Sequence, residues 1–171
     1  MKPVMEPYST SALPALIQVG ALPVRFEDGR PEVLLLTSRE TRRWVIPKGW
    51  PMKGKKNWAA AAQEAKEEAG VVGKTRKTPI GNFLYFKRRA AHFDLCRIEV
   101  YLLDFEKQLD SYREKGQRET RWFAIDEARE AVEEPGLAAL LGDLDFIAFR
   151  KAVPERGKKR GGKKARLEVR R

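Results

Sequence analysis

The chain of 171 residues has one cysteine, Cys96, and one histidine, His92. A single cysteine excludes an intrachain disulfide and fits a reducing compartment. Zinc sites built from clusters of cysteine and histidine are excluded as well. A Ser-His-Asp triad would have to use His92, and no serine lies in a nucleophile-elbow context. Carboxylates, lysines, arginines and metal ions remain for chemistry.

Long apolar runs are also missing, and none approaches the length of a membrane-spanning helix. The first 20 residues have no continuous apolar core, so they are not predicted to be a signal peptide, and we expect a cytoplasmic location. The length suits one domain with a real core. Hydrophobic residues make up 42% and charged residues 35%, as in a globular protein with a heavily charged surface.

Acidic residues are outnumbered, and the formal net charge is +11. From Pro154 onward, nine lysines and arginines face two acids, so +7 of this charge lies in the last 18 residues. Such a segment has too few apolar groups to offset the entropy lost on ordering. We therefore predict a basic, disordered tail over residues 152–171.

The hydrophobic pattern predicts a mixed sheet with helices on its faces in one α/β domain. Asp28-Gly29 predicts a hairpin turn, Asn57 an N-cap and Gly70 the end of the first helix. The predicted strands are 17–26, 33–36, 44–46, 80–87, 93–104 and 120–125. The predicted helices are 58–69, 126–132 and a last one from 137 to about 147.

Three acids, Glu64, Glu67 and Glu68, lie at positions i, i+3 and i+4 of the first predicted helix and share a face. Like charges at this spacing repel, and the end of a helix favours cations over anions. A divalent cation reverses both penalties, and Mg²⁺ or Mn²⁺ prefers such hard oxygen ligands. The alternative for this pattern alone is a solvated charged face.

The loop 47–56, PKGWPMKGKK, precedes this helix and contains four lysines and two glycines. It can bring positive charge and close backbone approach to phosphate oxygens. The alternative is an ordinary mobile loop with solvated lysines.

Loop and helix together resemble the Nudix box, G-x5-E-x7-R-E-U-x-E-E-x-G-U, in which U is aliphatic. Lys55 and Gln63 replace the first Glu and the Arg of the pattern, a pair that forms a salt bridge in the family. The other fixed positions match and are Gly49, Glu64, Ala65, Glu67, Glu68, Gly70 and Val71. The resemblance implies an α/β/α sandwich with a mixed sheet over residues 15–151, after an irregular segment 1–14.

Within the family, residues 44–49 and 116–123 resemble the branch that hydrolyses diphosphoinositol polyphosphates and diadenosine polyphosphates. The resemblance implies a phosphorylated small-molecule substrate of high negative charge. No membrane contact is expected, because long apolar runs are missing, and the oligomeric state is left open. Several cations are needed for such a ligand, because each exposed pair contributes only about 0–1 kcal/mol. The predicted substrate-binding residues are Arg42, Arg43, Lys48, Lys53, Lys55, Arg88 and Arg89.

The resemblance also implies hydrolysis of a phosphate anhydride with Mg²⁺ or Mn²⁺ as cofactor. The predicted metal ligands are Gly49, through its carbonyl, and Glu64, Glu67 and Glu68. The predicted catalytic residues are the same three glutamates and Glu119, where one of the four is the general base. An ordinary surface position is the alternative for Glu119.

Two other functions remain open. An RNA 5′-pyrophosphohydrolase would use the basic tail for sequence-independent attraction. A Nudix-like sensor that binds a phosphorylated ligand without catalysis would account for Lys55 and Gln63.

Overall fold

A computed structural model of the chain describes residues 14–144. Eight strands and three helices lie in this range. The strands are β1 Leu16–Glu27, β2 Arg30–Thr37, β3 Trp44–Val45, β4 Lys48–Gly49, β5 Val71–Thr75, β6 Gly81–Arg88, β7 Phe93–Gln108 and β8 Thr120–Ala124. The helices are α1 Asn57–Ala69, α2 Ile125–Ala131 and α3 Pro135–Gly142. The predictions for residues 1–13 and 145–171 lie outside this range.

The eight strands form one mixed sheet whose central path runs β3-β2-β1-β7-β5. β1 and β7 pair in parallel, from Leu16 opposite Cys96 to Val24 opposite Asp104. The other strand pairings are antiparallel: β4 joins β1, β6 joins β7 and β8 joins β2. The predicted mixed sheet is confirmed.

Each face of the sheet carries its own apolar core. On one face, the alanines of α1 pack against β1, β2 and β7 through residues such as Val19, Leu36 and Leu103. On the other face, α2 and α3 pack with Ile98 and Phe123. The run from Val33 to Leu36 is buried on both faces, as its continuous apolar sequence predicts. The α/β/α sandwich is therefore confirmed.

Two turns follow from backbone conformations that few residues adopt. Asp28 and Gly29 both have positive φ and join β1 to β2, which is the geometry of a tight hairpin. Gly70 has φ 67° and ends α1, and its N–H reaches the carbonyls of Ala65 and Lys66. Both predictions are confirmed.

Some predicted boundaries are wrong for identifiable reasons. Asn57 is not the N-cap of α1, because Lys56 holds that position and the Asn57 side chain donates to Glu99 at 3.3 Å. The last helix begins at Pro135 rather than at 137, because proline suits the first helical position. It ends at Gly142. Strands β4 and β5 were not predicted at all. Within residues 14–144, no helix has the length and apolar character needed to cross a membrane.

Candidate active site

The alanines of α1 place its acidic face at the edge of the sheet. Because Ala61, Ala65 and Ala69 are buried against the strands, Glu64 and Glu68 face the short strand β4. Gly49 of β4 lies directly against Glu64: a Cβ added at Gly49 would be 2.2 Å from Glu64 Oε1. Glycine at this position is therefore required for the carboxylate to approach the backbone.

Glu68 is buried and held by two donors. Its Oε2 accepts the backbone N–H of Lys48 at 3.1 Å, and its Oε1 accepts Arg118 Nη2 at 2.9 Å. The same guanidinium donates to Glu114 at 2.7 Å and to the carbonyl of Thr37 at 3.1 Å. Burial raises the pKa of Glu68, and the charges of Arg118 and Lys48 oppose that rise.

Glu64 differs from its neighbours because it has no hydrogen bond or ion pair with any residue between 14 and 144. Partial burial raises the pKa of Glu64 to about 7, and the nearby charges of Glu68, Glu67 and Glu114 add to that rise. The carboxylate is thus surrounded by excess negative charge, which a cation would relieve.

Glu67 is held by one side chain of α1 and one from the loop after β7. It accepts Gln63 Nε2 at 2.7 Å and Arg113 Nη1 at 2.9 Å, and the Gln63 hydrogen bond is the main cause of its lowered pKa. Lys55 Nζ in turn donates to Gln63 Oε1. The two residues that depart from the family pattern are therefore bonded to each other and connect the loop to α1.

The donor set fits a hard divalent cation only in part. Within the described range, no three His, Cys, Asp or Glu side chains are arranged closely enough to hold a metal as they stand. Glu64 fits, since it is an unpaired carboxylate oxygen donor beside the backbone of Gly49. Glu68 lies one helical turn after Glu64, and each of its carboxylate oxygens accepts one hydrogen bond and keeps a second lone pair for a metal. Glu67 already accepts hydrogen bonds from Gln63 and Arg113.

Two residues near the glutamates were missed by sequence reasoning. Glu114 contributes to the negative potential at both Glu64 and Glu68. Arg118 is the buried cation that joins Glu68 to Glu114. Arg118 lies in the segment 116–123 that resembles the family branch, but its contact with Glu68 has no local signal, and Glu114 has none at all, because both approach α1 from a distant loop. Glu119 has an exposed side chain, its backbone pairs with Thr37, and its catalytic role stays a prediction.

The predicted substrate-binding residues fall into three groups. Arg43, Arg88 and Arg89 line one cavity of about 760 Å³ between the β6–β7 hairpin and the segment before α3. Lys48 lies between this cavity and α1: its backbone N–H binds Glu68, and its Nζ is 5.0 Å from the centre of the Tyr85 ring. The others, Arg42, Lys53 and Lys55, are exposed on loops outside the cavity.

The fold and these contacts define an α/β/α domain whose central helix holds its carboxylates against a glycine- and lysine-containing loop. Residues 15–144 match the model of the NUDIX domain, and the chain belongs to that family.

Curated relatives agree with this assignment. Nudix hydrolase 12, mitochondrial, from Arabidopsis thaliana is 32% identical over 103 residues, which cover 58% of this chain and 51% of that protein. Nudix hydrolase 16, mitochondrial, from the same plant is 30% identical over 132 residues, which cover 68% of this chain and 72% of that protein. Diphosphoinositol polyphosphate phosphohydrolase 3-beta from Bos taurus is 33% identical, with 57% of each chain covered. The chain spans about half the length of the first of these relatives.

Among solved structures, a C. elegans Ap4A hydrolase in a binary complex superposes with a TM-score of 0.58. The match covers 81% of this chain and 100% of that chain at 22% identity, and it supports the fold.

Proposed function

We propose that this chain is a metal-dependent pyrophosphohydrolase that splits a phosphate anhydride in a highly anionic substrate, either an inositol pyrophosphate or a dinucleoside polyphosphate. The observation that carries the proposal is the unpaired carboxylate of Glu64 against Gly49, in the segment that matches the Nudix box. Named relatives that act on such substrates, a diphosphoinositol polyphosphate phosphohydrolase and an Ap4A hydrolase, support it.

In this proposal, Glu64 and Glu68 would hold Mg²⁺ or Mn²⁺ with the Gly49 carbonyl. A bound metal would polarise the phosphorus centre, stabilise developing charge and lower the pKa of water. Arg118 keeps Glu68 in place, and Lys48 presents its side chain toward the substrate cavity. Because Glu67 is bonded to Arg113, we rank it after Glu64 and Glu68 as a ligand or water-orienting group. Glu119 stays the general-base candidate outside α1.

The cavity beside Lys48 supplies the positive charge that the proposed substrate requires. Arg43, Arg88 and Arg89 line it, where Arg43 pairs with Glu133 and Glu134 and Arg89 pairs with Asp94. Lys87 approaches the Trp50 ring to 4.9 Å nearby. Each cation contributes little to the binding free energy, but several cations on one wall together favour the binding of a polyphosphate. Several relatives have mitochondrial in their names, so the cytoplasmic location stays a proposal that localisation of the tagged protein tests.

The test is a substrate panel in Mg²⁺ or Mn²⁺ with the wild-type chain and Glu64→Gln. The panel contains inositol pyrophosphates, dinucleoside polyphosphates, ADP-ribose and 5′-triphosphate RNA. We expect metal-dependent turnover of at least one substrate and a loss of about 100-fold or more in kcat/KM for the variant, because a metal ligand is removed.

Glu64→Gln is a sharper choice than Glu68→Gln, since Glu68 is buried in an ion pair and its replacement also disturbs the fold. Glu130→Gln makes the same chemical change at an exposed position of α2 and should retain full activity. Wild-type inactivity on every substrate would favour the sensor alternative. That alternative rests on the replacement of the family salt bridge by Lys55 and Gln63. These two side chains are hydrogen-bonded to each other, so they still connect the loop to α1, which weakens the argument for a sensor.

The second candidate, an RNA 5′-pyrophosphohydrolase, is favoured by one observation, the +7 charge of the last 18 residues. These residues lie outside the described range, so the support comes from sequence alone.

A further inference from the structure

One side of the hairpin formed by β6 and β7 is an exposed apolar surface. Within residues 14–144, five large hydrophobic side chains are exposed, and three of them, Leu84, Phe86 and Phe93, lie on this hairpin. Cross-strand partners in an antiparallel pair point to the same side of a sheet. Three such pairs therefore form one surface, the hairpin face: Leu84 with Arg97, Phe86 with Leu95, and Arg88 with Phe93.

The opposite side of the same hairpin is occupied by the fold. Phe83 and Ile98 are buried in the core with α2 and α3, and Tyr85 donates to Gln18 at 2.9 Å. Lys48 contacts the ring of Tyr85, so the cavity proposed for the substrate is reached from that side. The hairpin face therefore points away from the contacts of Lys48 and Tyr85.

Helix α1 lies on the same side of the sheet as the hairpin face but ends its cover before reaching it. Its alanines pack with Tyr101 and Leu103 of β7, and the strand runs beyond the helix toward Phe93. Phe86 and Phe93 are 63% and 64% exposed as a result. A contiguous apolar surface of this kind on a folded domain marks an interaction site.

Two arginines give the hairpin face a positive charge. Neither Arg88 nor Arg97 has a side-chain hydrogen bond or an ion pair with any residue between 14 and 144. Glu99 continues the β7 row of the face, but it accepts hydrogen bonds from Asn57 and Tyr101 instead. The partner of this face should therefore bring negative charge together with groups that pack on aromatic rings.

These requirements distinguish between classes of partner. An apolar protein surface would bury the two arginines without an acid, which costs free energy. A second copy of this chain would bring two more arginines into the same interface, because a two-fold contact repeats each residue. Single-stranded RNA offers unpaired bases for the rings and phosphates for the guanidinium groups. In a duplex, the base faces are already stacked and cannot reach the rings.

The spacing of the two rings suits neighbouring bases. Phe93 lies diagonally across the ladder from Phe86, because the direct partner of Phe86 is Leu95. Diagonal neighbours in an antiparallel pair are about 7–8 Å apart, within reach of aromatic side chains. Aromatic side chains on an open sheet surface are a common platform for the bases of single-stranded RNA.

We propose that the hairpin face binds single-stranded RNA, with neighbouring bases stacked on Phe86 and Phe93 and with phosphates at Arg88 and Arg97. This inference goes beyond the proposed function, because it depends neither on hydrolysis nor on the metal ligands. It also places the contact within the folded domain, separate from the basic tail.

The direct test is fluorescence anisotropy of a labelled oligouridine RNA with the full chain. The double variant Phe86→Leu with Phe93→Leu keeps the surface apolar but removes both rings. We expect it to weaken RNA binding about tenfold or more, because each stacked base contributes substantially to the affinity. Unchanged affinity of this variant, or no binding of RNA by the wild type at micromolar protein concentrations, would overturn the proposal.

A matched pair of variants tests the charge. Arg97→Gln and Arg30→Gln remove one positive charge each from an exposed position, on the hairpin face and on the β1–β2 turn respectively. Arg97→Gln should weaken binding several-fold and reduce the slope of log affinity against log salt by about 0.7, as loss of one phosphate contact predicts. Arg30→Gln should have little effect. Equal losses for the two variants would show that only net charge matters and would contradict the hairpin face as the site.

A measurement on the wild type decides the case if a variant disturbs the fold. Addition of RNA should shift the backbone amide NMR signals of β6 and of the first half of β7. Shifts confined to other segments would overturn the proposal. Sedimentation tests the competing partner: a dimer of the chain that Phe86→Glu dissociates would assign the hairpin face to a second copy and likewise overturn the RNA site.

Discussion

Arg118 holds the buried end of the acidic helix. Its guanidinium is 9% exposed and binds Glu68, Glu114 and the carbonyl of Thr37. Removing one partner of a buried ion pair leaves uncompensated charge and typically costs about 3–5 kcal/mol. We expect Arg118→Met to lower the free energy of unfolding by this amount in urea titrations. Arg113→Met, which removes a 75% exposed partner of Glu67, should change it by less than about 1 kcal/mol.

If the two variants unfold at the same urea concentration, Arg118 does not have the buried structural role described here. The comparison is matched because each arginine contacts a glutamate of α1, at 2.9 Å in both cases. The two pairs differ in burial, and Arg118 also binds Glu114 and the carbonyl of Thr37.

Gly49 and Gly54 are two glycines of one loop with opposite expected effects. A Cβ at Gly49 meets the carboxylate of Glu64 at 2.2 Å, so Gly49→Ala should displace this side chain and lower kcat/KM by about tenfold or more. Gly54 has φ 77° and nothing within 4 Å of an added Cβ. Gly54→Ala should therefore cost about 1 kcal/mol of stability through backbone strain and leave activity intact.

Activity assays and thermal unfolding of both proteins check this contrast. A Gly49→Ala variant with full activity would show that Glu64 is not needed in its present position.

At the scale of elements, the loop before α1 is joined to the helix by Lys55 and Gln63. Gln63→Arg alone would place two cations together, whereas Lys55→Glu with Gln63→Arg restores the usual family pair. We expect the double variant to be more stable than the two single changes predict by addition, with a coupling of about 0.5–1 kcal/mol. Unfolding free energies of the wild type, both single variants and the double variant give the coupling directly. A coupling of zero would mean that the two side chains do not interact in solution.

The elements that sequence predicted well have strong local signals. Helix α1 was predicted from its alanines, its charged residues and the glycine at 70, and the hairpin at 28–29 from its Asp-Gly pair. Strand β4 has two residues, too few for any periodic pattern, and it forms only because β1 pairs with it. The N-cap prediction at Asn57 was wrong because a distant residue, Glu99, accepts the side chain instead.

The acidic face of the site was likewise predicted from spacing alone, but its surroundings were not. The contacts of Glu68 with Arg118, and the cavity position of Glu134, join residues far apart in the sequence. Tertiary packing brings them together, and no local pattern encodes such pairs. The roles of the predicted site residues stay predictions until the variants above are measured.

At the scale of the whole molecule, charge is the dominant feature. Deleting residues 155–171 removes most of the net charge of +11. If RNA is the substrate, the deletion should lower kcat/KM on 5′-triphosphate RNA by about tenfold or more at low salt and reduce its salt dependence. Turnover of small polyphosphates should stay unchanged, since we propose that they bind at the cavity and α1. Equal activity of the full chain and the deletion variant on RNA at every salt concentration would contradict a role of the tail in an RNA 5′-pyrophosphohydrolase.

The parallel pairing of β1 with β7 has a consequence for biosynthesis. Leu16 leaves the ribosome early, yet its sheet neighbour Cys96 follows only after most of the domain has been made. The centre of the sheet therefore closes late, and long-range pairing of this kind slows folding. Until then, the apolar run of β2 can pair with β1 and β3 but lacks β8, so the nascent chain passes through a stage in which chaperones have an exposed target.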